Sequence, residues 1–156
     1  EHGLRALLPF LAELHPDTPV LPIAISIRST ETQWMALSDA LAPLLTERTL
    51  VLQSTDFSHY LPQYLARQRD QESLNVIAGG NPTAIRALRM PGHLDSKGAL
   101  YVQMTLQAGQ GAVPIAVQNR NQTEFGTGDP ERTTSYLVVA YGRFSDAVQD
   151  IGLPES

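Results

Sequence analysis

Two short apolar runs, Val20 to Ile27 and Thr49 to Gln53, lie on either side of a segment long enough for one helix, and this spacing restricts the fold more than any other feature of the chain. The first run is β-branched and continuous, the pattern of a buried strand. Pro22 within it predicts a bend or an edge position. The second run places Leu50, Val51 and Leu52 in the core. Between them, Thr30 and Gln33 have capping-box spacing, and Trp34, Leu37, Leu41, Leu44 and Leu45 share one helical face. Strand, helix, strand in that order predicts an α/β fold with a parallel or mixed sheet flanked by helices.

The flanking segments extend this frame. Leu4, Leu7, Leu8, Leu11 and Leu14 recur at helical spacing, so a helix is expected from about Gly3 to Leu14, distorted at Pro9 and stopped by His15-Pro16-Asp17. A further helix is expected within 61–77, ending at Gly79-Gly80. Asn81-Pro82 caps and opens a short helix to about Leu88. Ser96 caps one running to about Ala108. Val113 to Gln118 and Ser135 to Tyr141 are expected strands, joined by a polar loop from Asn119 to Arg132. Residues 1–146 are expected to form a single domain and 147–156 a tail.

Composition narrows the function classes. The chain has 156 residues, a 42% hydrophobic fraction, no cysteine and a net charge of -5, with 11 Lys and Arg residues scattered along it. No basic stripe is available for a phosphate backbone, and no apolar run reaches the roughly 18 residues of a membrane span. Nucleic acid and membrane are therefore not expected as partners. Missing cysteine excludes disulfides, thiolate zinc sites and a Cys nucleophile together, and fits a cytoplasmic location. The sequence does not open on Met and reads as a fragment or a processed chain.

Chemistry is expected in Ser54-Thr55-Asp56-Phe57-Ser58-His59-Tyr60, directly after the second apolar run. Ligands of open α/β sheets bind beyond the carboxyl ends of strands. A tight turn brings Asp56 and His59, three apart, toward one cleft, where a carboxylate orients an imidazole for acid–base work. The alternative is structural: Asp56 caps the next helix and His59 packs beneath it. No Gly-x-Ser-x-Gly elbow accompanies Ser58, which argues against a Ser/His hydrolase. His2 stands before a helix and is expected, with Ser58, to contact a small-molecule substrate. Asp95, near His93 in a loop ahead of a helix N-terminus, is either a ligand-positioning group or a turn residue.

These segments resemble the Memo family, which includes the AmmeMemoRadiSam system protein B group. Glu1-His2-Gly3-Leu4-Arg5 with Leu8-Pro9-Phe10 is similar to the family's Glu-His motif and the Leu-Pro-Phe/Tyr after it. Val20 to Ile27 is similar to its Pro-containing strand, and Thr133-Thr134-Ser135-Tyr136 to a late strand. Ser54 to Tyr60 is similar to its Asp-Phe-Ser/Cys-His signature. The resemblance covers the C-terminal portion of such a protein and implies a fold like class III extradiol dioxygenases. It further implies a metal-associated cleft with non-haem-metal redox or dioxygenase-like chemistry, with Asp56 and His59 at the cleft. Relatives of this kind hold the metal through two His of the N-terminal half, which lie outside this sequence, and a Cys. Asp95 stands in or near the Cys place, and as a hard ligand favours iron over copper or zinc. A divalent metal is thus the expected cofactor, at a site incomplete within these residues. The alternatives are a non-catalytic binding domain with a protein partner and a metal-dependent hydrolase.

Overall fold

The computed structural model describes residues 2–126 and 129–143. The chain forms α1 (His2–Leu14), α2 (Glu31–Leu41), β1 (Phe57–Leu61), α3 (Gln63–Ala78), α4 (Lys97–Gly109), β2 (Val113–Asn121) and β3 (Thr133–Gly142), with short 3-10 turns at Ala42–Leu44, Pro82–Ala87 and Gln122–Phe125. The expected tail lies outside the described residues.

Local sequence sets most of these boundaries. Thr30 caps α2 through the full capping box with Gln33. Pro43 supplies no N–H and converts the last turn to 3-10, so α2 ends at Leu41. Leu44, expected on the buried face, is consequently 61% exposed. Asn81 caps the Pro82–Ala87 turn, and Ser96 Oγ accepts from the Ala99 N–H at 3.2 Å to start α4. α4 is the central element of the core, burying Leu100, Tyr101, Val102, Met104 and Leu106.

The α/β layering is present, and the sheet within it is antiparallel. Its order is β1-β3-β2. Leu137, Val139 and Tyr141 of β3 pack against the core cluster to which Phe57, Ile77, Tyr101 and Met104 belong. Tyr136 and Val138, on the other face of β3, are exposed. One covered face and one open face is a common state for antiparallel sheets. Of the parallel or mixed sheet expected, no parallel pair is present, because Val20 to Ile27 and Thr49 to Gln53 join no strand among the described residues. Neither run is in a helix or strand, and Ile27 lies in a turn; apolar composition alone does not supply a neighbour.

Segment 20–27 nevertheless packs inward at one point. A Cβ at Gly98 would lie 2.5 Å from Trp34 Nε1 and 2.8 Å from Ile25, so α2 and this segment approach α4 as closely as only glycine permits. Trp34 Nε1 donates to Ser29 Oγ at 2.7 Å, and the ring packs 5.7 Å from that of Tyr101.

Candidate acid–histidine site

Phe57 begins the site. It is buried, pairs with Ser135 of β3, and forms a bridge with Leu94 on its other side. Next to that bridge, the Asp95 N–H donates to the Asp56 carbonyl at 2.9 Å. The loops that carry Asp56 and Asp95 are thereby zipped together, and their carboxylates converge on His59.

His59 sits mid-strand in β1, where the register against β3 shifts on both sides of it. Such irregularity re-aims a side chain. Its Nε2 lies 3.0 Å from Asp95 Oδ2 and 3.3 Å from Asp56 Oδ2, and its Nδ1 lies 3.1 Å from Thr134 Oγ1. A carboxylate only accepts, so Nε2 donates toward Asp95, while the Thr134 hydroxyl can serve Nδ1 as either donor or acceptor. The imidazole is 11% exposed, whereas the Asp56 and Asp95 side chains are 41% and 46% exposed. The next residue, Tyr60, has φ 56°, a left-handed conformation uncommon for a non-glycine residue. Its ring stacks on His59 at 5.2 Å, with the Arg132 guanidinium 5.7 Å from its centre.

Neither acid is spent as a helix cap. α3 begins after Pro62 without a side-chain cap, and Ser96, not Asp95, caps α4. Asp56 and Asp95 also line a cavity of about 760 Å³ whose other walls include Leu4 and Leu7 of α1, Ile23, Leu37, Val102 and Leu106. Asp56, His59 and Asp95 are thus brought together, each offering an atom within 4.8 Å of the others.

The two expected substrate contacts fare differently. Ser58 is fully buried and does not reach the cleft; it donates to Asp70 Oδ1 at 2.6 Å on the interior side. The strand turns successive side chains to opposite faces, so His59 facing Asp56 and Asp95 sends Ser58 inward. The His2 side chain lies outside the described residues, although its neighbours Gly3 and Leu4 line the cavity.

Thr134 and Asp70 carried no role in the sequence reading. Thr134 becomes a partner of His59 only through strand register, which no local pattern announces. His93, two residues from Asp95, is buried and points away from the site. Its Nδ1 accepts the Arg89 N–H at 3.0 Å, and Nε2 donates to Glu72 at 2.7 Å. This pins the Asp95 loop to α3. The hydrogen bond from His93, followed by that from Arg69, holds the Glu72 carboxyl below its ordinary 4.5. A depressed carboxyl stabilises the fold above its unfolded value, and this contribution is lost as pH falls through the folded value. Glu72→Gln keeps an acceptor for His93 but removes the titration. Urea midpoints measured from neutral pH down to about pH 3 should therefore fall less steeply below 4.5 in the variant than in the parent. Parallel profiles would exclude this role for Glu72.

The profile of the family described as Memo-like protein matches residues 1–137. The chain is similar to the MEMO1 family protein of Methanosarcina barkeri, 26% identical over 145 residues that make up 89% of this chain and 54% of the relative. It is 32% identical over 120 residues to a MEMO1 family protein of Methanosarcina acetivorans, covering 74% of this chain and 40% of that protein. A MEMO1 family protein of Ignicoccus hospitalis is 23% identical over 146 residues, 90% of this chain and 51% of its own length. The chain spans about half the length, or less, of these curated relatives. With the profile running through α1, the acid–histidine site and into β3, the chain belongs to the Memo-like protein family.

Proposed function

We propose that Asp56, His59 and Asp95 bind a divalent cation and that the adjoining cavity receives a small molecule. The observation that carries this reading is the convergence of one imidazole nitrogen and two carboxylate oxygens within 4.8 Å of one another. Ligand atoms about 2.1 Å from an ion in adjacent octahedral positions lie about 3 Å apart, and His59 Nε2 has that relation to both acids. The donor set is hard to borderline, which suits Fe(II) or Mn(II) better than thiolate-seeking ions. Thr134 supports the same reading. With Nε2 given to a cation, the ring proton moves to Nδ1 and is donated to Thr134 Oγ1, fixing the ring as an outer partner does in metal sites.

Three ligands from one side leave coordination positions open. A cation there would supply Lewis-acid or one-electron chemistry to an oxygen-bearing substrate. The cavity walls are largely apolar and, among the described residues, include no Lys, Arg or His, so they favour an uncharged body over an anion.

Mn(II) titration followed by the paramagnetic signal of the free ion tests the proposal. One equivalent should bind reversibly, and Thr134→Val should weaken binding by about 10-fold, the scale of a lost outer-shell partner. No uptake at millimolar Mn(II) or Fe(II) would leave the acid–histidine set as a hydrogen-bonded structural cluster.

A further inference from the structure

The residue after His59 holds a backbone state that its side chain disfavours. Phe57, His59 and Leu61 of β1 face Ser135, Thr134 and Thr133 of β3, so Ser58 and Tyr60 are additional residues within the strand. Tyr60 takes up the extra length with φ 56°, the one positive φ of a non-glycine among the described residues. Glycine is the usual occupant of such a left-handed bulge position, because a Cβ there crowds the backbone. Burial does not offset the strain, since Tyr60 is 65% exposed. What the side chain gains is a pair of ring contacts. It stacks on the His59 imidazole at 5.2 Å, with 29° between the planes, and the Arg132 guanidinium stands 5.7 Å from its centre. Strain kept in place beside an ionisable group points to a role for the side chain that requires it.

We infer that Tyr60 is a positioning residue for His59. The imidazole nitrogens are held by Thr134 and by two acids whose side chains are 41% and 46% exposed. Half-exposed carboxylates keep much of their rotamer freedom in water, so these contacts alone let the imidazole follow them. The Tyr60 ring braces the imidazole by its face instead, and the left-handed backbone is what aims it there. Arg132 steadies the Tyr60 ring through the attraction of a cation to a π face. Nε2 is thereby kept between Asp56 and Asp95, where the three ligand atoms can close on one ion. The effect on a cation rests on the proposed cation site at these residues, whereas the order of the imidazole is a property of the metal-free protein.

Two variants test this. Tyr60→Gly removes the ring and suits the backbone, and Tyr60→Phe keeps the ring without the hydroxyl, to which neither contact belongs. In the metal-free protein, the His59 Nε2–H donated to Asp95 should exchange with water at least about 10-fold faster in Tyr60→Gly than in the parent, as followed by imidazole nitrogen NMR. Mn(II) affinity, from the paramagnetic signal of the free ion, should fall by about 10-fold, the scale of a lost outer support. The urea midpoint of Tyr60→Gly should stay at or above that of the parent, because glycine relieves the left-handed strain. Tyr60→Phe should match the parent in all three. A lower midpoint for Tyr60→Gly with parental exchange and affinity would make Tyr60 a merely structural residue and overturn the inference. A Tyr60→Phe variant as loose as Tyr60→Gly would place the effect in the hydroxyl and overturn it as well. If the parent takes up no Mn(II), the cation reading fails, and the exchange comparison alone decides whether Tyr60 positions the imidazole.

Discussion

Replacing His59 by Ala is expected to reduce Mn(II) affinity by about 100-fold or more, while Asp95→Ala reduces it by about 10-fold. The difference follows from position. His59 Nε2 is the point on which both acids converge, 3.0 Å from one and 3.3 Å from the other. Without the imidazole, two carboxylates face each other with no neutral ligand between them, and Thr134 has nothing to orient. Without Asp95, His59 and Asp56 still form a pair held by β1. Neither change should unfold the chain. Phe57, Leu94 and the Asp95 N–H bond to the Asp56 carbonyl hold the loops through backbone and core atoms that both variants keep. Parallel Mn(II) titrations and melting curves check this. His59→Ala with parental affinity would remove the residue from the proposed site. Equal affinity but a lower melting temperature for Asp95→Ala would make Asp95 a turn residue and nothing more.

How much of this was legible in the sequence depended on the range of the interaction. Caps were readable because they are local: Thr30 with Gln33, Asn81 with Pro82, and Ser96 all lie within three residues of the groups they satisfy. The end of α2 was misplaced by a few residues because the Leu periodicity continues past Pro43, and a missing N–H outweighs a hydrophobic pattern. Val20 to Ile27 and Thr49 to Gln53 were readable as apolar runs in need of cover, and not as the loops they form. Their partners were not, because an apolar run states that it will be covered and not by what. Asp56 and His59 were found through their spacing, and Asp95 through its place before a capped helix. That the three meet depends on the Phe57–Leu94 bridge and the irregular register of β1 on β3, neither of which leaves a periodic trace. Ser58 shows the converse. Its neighbours drew attention to it, but strand alternation turned it toward Asp70.

Asp70→Ala should cost about 3 kcal/mol of folding stability, among the largest effects of any single substitution in this chain, whereas Asp70→Asn should cost about 1 kcal/mol or less. Asp70 is 1% exposed on α3 and ties three elements together. It accepts from Ser58 Oγ of β1 at 2.6 Å and from Asn119 Nδ2 of β2 at 3.1 Å. Truncation to Ala leaves Ser58 with only a 3.4 Å contact to the Ala66 carbonyl. It also leaves Asn119 with neither end of its amide paired, since Oδ1 is already buried without a partner. Unpaired buried polar groups cost about 1–3 kcal/mol each, and the lost volume adds to this. Asn at position 70 changes the outcome. Its carbonyl still accepts from Ser58, and its amide needs an acceptor where Asn119 now presents a donor. A half-turn of the Asn119 amide brings the orphaned Oδ1 into that place. The variant thus exchanges one unpaired buried atom for another while removing a carboxylate from the interior, and the two changes largely offset. Urea denaturation of the parent and both variants separates the possibilities. A loss below about 1 kcal/mol for Asp70→Ala would show that Ser58 and Asn119 find other partners. An Asn variant as unstable as the Ala variant would show that the fold needs the carboxylate itself rather than its shape.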